Sequence, residues 1–219
     1  MREPLPPVTK ALLIAIVAAF VAQLFMGPIL TAKFALWPLG GHAVMSHERD
    51  LIDVGFEPWQ VVTYSFLHGG FPHLALNGFA LYMFGAAIED AIGSKPFALY
   101  WFVSVLGAAA VQLLVLGHVE PGSEHFVPTV GASGGIYGLL LAYAMFWPQR
   151  KLMLLFPPIP MPAWLFVIVF AGLELYLGVS QSRSPIAHFA HLGGMVGGLV
   201  MILYWRGKLP IKPRKRLMI

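Results

Sequence analysis

The sequence predicts an all-α polytopic membrane protein: a bundle of six transmembrane helices with a long membrane-associated loop after the first. Three observations predict it. Of 219 residues, 58% are hydrophobic and only 11% charged, whereas a soluble domain is nearer half apolar and a quarter charged. The apolar residues gather into runs suited to a bilayer core, broken by Pro-, Gly- and charge-rich stretches. The basic residues fall unevenly among those breaks. There is no cysteine, which excludes a disulfide framework and a thiolate metal site. The net charge of +4 reads as membrane orientation and not as nucleic-acid binding, because of where the charges sit. No separate soluble domain is expected.

Taken in order, residues 1–10 form a short Pro-rich N-terminus. Ala11 to about Met26 is the first apolar run. It has no convincing small-residue cleavage site and more spans follow, so it reads as a retained span. Leu30 to about Phe71 mixes Lys33, Glu48, Arg49, Asp50, Asp53 and Glu57 with Trp37, Phe56, Trp59 and Phe66. Such a segment suits the headgroup level. The second span is expected from about His73 to Ile92, then a tight turn at Gly93-Ser94-Lys95-Pro96. The third runs from Phe97 to about Gly117. A polar loop, His118 to Val130, leads to the fourth, Ser133 to Trp147. A Pro-rich connector, Pro157 to Pro162, precedes the fifth, Ala163 to about Val179. Ser180 to Pro185 is a polar turn before the sixth, about His188 to Trp205. The spans make one domain over residues 11–205, and residues 206–219 form a basic tail.

Six spans put both termini on one side. That side collects Arg2, Lys10, Lys95, Arg150, Lys151, Arg206, Lys208, Lys212, Arg214, Lys215 and Arg216; the other holds Lys33, Arg49 and Arg183. The positive-inside rule makes both termini cytoplasmic, and a bacterial inner membrane is the expected location. Spans two, four and six then all enter from the outer face, and their first turns share one depth. Those turns carry His73, Ser133 and His191.

The octet Gly131-Ala132-Ser133-Gly134-Gly135-Ile136-Tyr137-Gly138 admits two readings. Small residues are common where membrane helices pack closely. A serine at a helix entrance also lies beside backbone N–H groups that lack helical partners, a nucleophile next to an oxyanion donor. Spacing favours chemistry. Gly194 and Gly198 share a helix face with His191, and Gly134 and Gly138 form a matching face, so close packing of spans four and six brings His191 to Ser133. Tyr137, one turn after Ser133, is placed to pack under the imidazole. His73 and Asn77 are four apart and both can donate hydrogen bonds, either to an oxyanion or as a cross-link between helices.

A metal site would draw on His68, His73, His188 and His191. Catalytic zinc usually adds a carboxylate or an HExxH helix, neither of which is evident, so no metal and no other cofactor is expected. Glu174 is the one carboxylate deep in a span. Orienting His191 as a triad acid and capping a polar gap as a protonated structural group are both open to it, and the sequence favours the structural role.

Together these residues resemble the rhomboid intramembrane serine proteases. The likeness rests on Gly131-Ala132-Ser133-Gly134, similar to the family's Gly-x-Ser-Gly; on Ala190-His191-Leu192-Gly193-Gly194, similar to its Ala-His-x-x-Gly; and on His68-x4-His73-x3-Asn77. It spans Ala11 to Trp205. The resemblance implies a Ser133–His191 dyad with no third acid. It implies an oxyanion hole of His73, Asn77 and the Ser133 N–H, supported by Gly131 and Tyr137. It also implies membrane-protein substrates cut in or near a transmembrane helix, and a lateral gate at span five and the loop after Ser180. A catalytically silent relative that binds membrane clients is the alternative. Two departures stand out. The first loop has Trp59-Gln60 where many relatives have Trp-Arg, which removes the arginine's polar cross-links. His188 also lies close to the face of His191; the downstream glycines assign the base to His191.

Overall fold

Helices dominate the chain because its apolar runs leave no other way to satisfy backbone groups in hydrocarbon. The computed structural model describes residues 4–40, 42–47, 50–117, 120, 126–153, 158–180 and 185–213. The end of the expected basic tail, residues 181–184 of the polar turn assigned to a gate, and most of the 118–125 loop lie outside them. The helices are α1 (Pro7–Phe34), α2 (Gln60–Thr63), α3 (Phe71–Ala80), α4 (Ala86–Ile92), α5 (Ser94–Leu116), α6 (Ser133–Phe146), α7 (Ala163–Ser180) and α8 (Pro185–Trp205). A π-helical turn, Leu81–Gly85, joins α3 to α4, so Phe71–Ile92 is one 22-residue rod.

Five of these units are long and apolar enough to cross a membrane: Pro7–Phe34, Phe71–Ile92, Ser94–Leu116, Ala163–Ser180 and His188–Trp205. The chain is therefore an integral membrane protein. The expected fourth span, α6, is shorter at 14 residues. At 1.5 Å per residue it covers only ~21 Å of a core ~30 Å thick.

Element ends differ from expectation for local reasons. α1 begins at Pro7 and continues to Phe34 instead of stopping near Met26. Pro at the first helical position gives up no bond. Pro28 removes one N–H and crowds the preceding turn; Met26 absorbs this with φ −131° and ψ 24°, and the helix resumes. α3 and α8 likewise start on Phe71-Pro72 and Pro185, ahead of His73 and His188.

The first loop is not merely a surface segment. It contains an antiparallel hairpin, β1 (His42–His47) and β2 (Asp50–Gly55), registered His42 to Gly55 and His47 to Asp50. A second small ribbon pairs β3 (Lys151–Met153) with β4 (Pro160–Pro162). Trp59 lies at the surface, but Trp37 is buried with Ala32, Val54 and Phe126, its indole N–H bonded to the Ala32 carbonyl at 3.0 Å. Trp37 therefore belongs to the protein interior.

Gln60 replaces the missing arginine as the loop's anchor. It is 0% exposed. Its Oε1 accepts from the Trp37 N–H at 3.2 Å, and its Nε2 donates to the Gly55 carbonyl at 3.0 Å and the Lys33 carbonyl at 3.3 Å. One neutral amide thus ties α1, β2 and α2. α1 is also held at its start and its middle. Glu89 accepts from the Val8 N–H, the Thr9 N–H and the Thr9 hydroxyl at 3.0, 2.7 and 2.8 Å, a carboxylate placed at a helix N-terminus. Gln23 exchanges two bonds with the backbone of His68.

α8 is the centre of the packing. It meets α5 and α6 most extensively, through glycine on both sides. A Cβ on Gly194 would lie 1.9 Å from the Gly134 carbonyl, and one on Gly198 would meet the Gly138 Cα at 3.3 Å. This is the α6–α8 contact that the glycine spacing predicts. A second face sets Gly107 of α5 against Gly193 and Gly197 of α8; Gly107 heads a Gly-Ala-Ala-Ala stretch inside α5.

Two outcomes follow. Gln60→Ala leaves a buried backbone donor and carbonyls without partners and should lower stability by about 2–4 kcal/mol, read as a fall in thermal midpoint in detergent. Gly194→Ala must push α8 off α6; it should destabilise by at least about 2 kcal/mol and abolish serine-probe labelling, whereas Gly172→Ala, with open space at its Cβ, should leave both unchanged.

Candidate active site

Ser133 is the first residue of α6. No side chain caps this helix, and its first internal bond runs from the Ile136 N–H to the Ala132 carbonyl. The N–H groups of Ser133, Gly134 and Gly135 therefore have no helical partner. The strand leading in is held from two sides. Leu36 and Thr129 exchange backbone bonds at 3.0 and 2.9 Å, and the Gly131 N–H donates to the Tyr64 carbonyl at 3.0 Å. Tyr64 is fixed in turn by its hydroxyl, which donates to the Val105 carbonyl at 2.9 Å. The first loop thus shapes the approach to Ser133, a role with no sequence signal beyond a lone tyrosine in a mixed segment.

Gly131 has φ +129°, and a Cβ there would lie 2.8 Å from His73 Cε1 and Nε2. Both facts require glycine. They also place the His73 Nε2 edge beside the serine loop. His73 Nδ1 accepts the Gly69 N–H at 3.3 Å, which leaves the ring proton on Nε2. Asn77, one turn further along α3, is buried, and its Nδ2 has no hydrogen-bond partner among the described residues. Buried amide donors normally find a partner, so an unpaired one within a span stands out.

His191 Nε2 lies 2.8 Å from Ser133 Oγ. Its ring stacks on Tyr137 at 4.3 Å between centroids and 5° between planes. Nε2 faces the hydroxyl as a general base requires. The entrances of α3 and α6 and the second turn of α8 therefore bring His73, Gly131, Ser133, Tyr137 and His191 to one place.

Glu174, which the sequence favours as a protonated group capping a polar gap, meets three polar side chains. Its carboxylate accepts the Tyr137 hydroxyl, lies 2.5 Å from His188 Nδ1, and lies 2.9 Å from His191 Nδ1. The last is a close approach whose geometry is not that of an aligned hydrogen bond. Ligand atoms of Glu174, His188 and His191 lie within 4.8 Å of one another. Of the described residues, this is the only group with metal-ligand spacing. It supplies the carboxylate that sequence reasoning found lacking, while His68 and His73 pair with each other, rings 5.1 Å apart.

Comparison with known proteins now bears on this geometry. A family description, the Rhomboid domain, matches residues 55–208. The chain belongs to the rhomboid family. It is 25% identical over 202 residues to the rhomboid protease GlpG of Salmonella choleraesuis, covering 92% of this chain and 64% of that protein. It is 31% identical over 153 residues to the rhomboid protease GluP of Bacillus subtilis, covering 69% and 26%. With the mitochondrial Rhomboid protein 1 of Saccharomyces cerevisiae it shares 28% over 158 residues, covering 71% and 44%. The chain thus spans less than two thirds of the length of these relatives.

Within this rhomboid bundle, His68 sits just before α3, outside the spans, and is only 2% exposed. Burial, aided by the neighbouring His73 and opposed by a bond to the Phe66 carbonyl, lowers its pKa from 6.5 to about 4. The unfolded chain then binds the extra proton below pH 6.5. Stability tied to His68 is complete above that value and is lost as pH falls towards 4. Thermal midpoints should drop across this window in the wild type and drop less in His68→Asn, measured side by side in one detergent.

Proposed function

We propose that the chain is an intramembrane serine endopeptidase that hydrolyses peptide bonds in or near transmembrane segments of membrane-protein substrates. The observation that carries this reading is the 2.8 Å contact of His191 Nε2 with Ser133 Oγ at an uncapped helix entrance. Named proteases among its relatives support the reaction class.

Ser133 Oγ attacks the scissile carbonyl carbon as its proton passes to neutral His191 Nε2. The new C–O bond forms and the carbonyl π pair moves onto oxygen. That oxyanion sits among the Ser133 N–H, His73 Nε2–H and Asn77 Nδ2–H donors. His191 then gives the proton to the leaving nitrogen as the C–N bond breaks. Water, activated by the same imidazole, hydrolyses the acyl-enzyme. Tyr137 keeps the imidazole plane fixed, and Gly131 lets His73 come close. No cofactor is needed. Residues 11–205 constitute the protease domain, flanked by cytoplasmic termini. In a bacterial inner membrane the site opens to the outer face, and α7 with the chain beyond Ser180 serves as the lateral gate.

The test is cleavage of a single-span substrate in proteoliposomes, with fluorophosphonate labelling alongside. Ser133→Ala should be folded, unlabelled and inactive. His191→Ala should match it, with the double variant no worse. Asn77→Ala should lose about 100- to 1,000-fold in kcat with KM little changed, while the probe still labels Ser133. Cleavage by Ser133→Ala would end this reading. A folded wild type that neither labels nor cleaves but retains membrane proteins would leave the catalytically silent alternative.

A further inference from the structure

Resting on the Ser133–His191 reading, we infer that Glu174 is a positioning residue, the countercharge for the imidazolium that His191 becomes during proton transfer. A two-residue Ser–His arrangement gives the imidazolium no fixed anion. Here one is built in.

The carboxylate is in α7, within a span and largely buried. An unpaired ionised group there is costly. Three groups from two other helices surround it: Tyr137 of α6, and His188 and His191 of α8. They divide between the two oxygens. Oε1 faces the Tyr137 hydroxyl and His191 Nδ1; Oε2 faces His188 Nδ1. Tyr137 and His188 hold the carboxylate in position through hydrogen bonds. His191 differs, because its Nδ1 is 2.9 Å away without an aligned bond. Its contact with Glu174 is weaker while the ring is neutral than once the ring is charged.

That asymmetry is what catalysis uses. When the Ser133 proton reaches Nε2, the ring becomes cationic, and an opposite charge lies 2.9 Å from its far nitrogen. The interaction is stronger in the transition state than in the ground state, so it acts on kcat more than on substrate binding. Tyr137 serves both partners, stacking on the imidazole and bonding the carboxylate. It fixes their relative position.

Glu174→Gln keeps the size of the side chain and an acceptor for Tyr137 but removes the charge. Purified full-length chain in proteoliposomes is assayed on a single-span substrate. The expected result is a kcat about 100-fold lower, KM within about twofold, and an unchanged thermal midpoint. Glu174→Asp, charged but shorter, should fall between Gln and wild type. Glu174→Gln in the His191→Ala background should cost nothing more, since it acts through His191. A Gln variant within about threefold of wild-type kcat, or one whose loss tracks its thermal midpoint, would overturn the assignment. If Glu174→Gln fails to fold, Glu174→Asp decides: a folded Asp variant with wild-type kcat overturns the inference, and an intermediate kcat supports it. Loss of wild-type activity in EDTA, restored by zinc, would also overturn it and make the cluster a metal site. A wild type that does not cleave sinks the dyad reading, and this one with it; a wild type that cleaves beside a fully active Gln variant sinks this one alone.

Discussion

The fold depends on α8 lying against α6 at glycine-to-glycine distance. A Cβ on Gly194 has no room beside the Gly134 carbonyl. In a bilayer there is little hydrophobic drive to bring helices together, so close van der Waals contact between backbones is a main source of cohesion. The contact also sets geometry. His191 is three residues before Gly194, and Ser133 is one before Gly134. Fixing the glycines against each other fixes the imidazole against the hydroxyl. Packing and the candidate site are therefore one constraint and cannot be changed separately.

The remaining elements serve that contact from outside. α5 lies against the back of α8 through Gly107, Gly193 and Gly197. The first loop sends Tyr64 and Leu36 to hold the strand into Ser133. Gln60 and Gln23 fasten that loop to α1 with neutral amide bonds. In a setting that penalises charge, amides satisfy several backbone groups without a counterion.

Much of this was legible in the sequence, and the limits are physical. Apolar runs and their breakers located every long helix, because hydrocarbon enforces a length. Proline blurred the ends, since it starts helices as readily as it interrupts them; hence α1 and α8 begin early. Glycine spacing on α6 and α8 pointed to their contact and to the meeting of Ser133, Tyr137 and His191. Gly107-Ala108-Ala109-Ala110 are small residues in succession, which point around the helix and single out no one face. Gln60 read as a loss of arginine, since a sequence names a side chain but not the three carbonyl and amide groups around it. Glu174 was placed in the right span. Its partners come from two other helices, and only the assembled bundle brings Tyr137, His188 and His191 to one carboxylate.

α6 is shorter than the slab it occupies by about 9 Å. On a lipid-facing helix such a deficit strains the bilayer by a fraction of a kcal/mol for each ångström. Gly134, Gly135, Gly138, Leu139 and Ala142 are all buried within the protein, so lipid tails never meet the shortfall. No residue of α6 is exposed, so the longer helices beside it, and not lipid, carry the cost of its length.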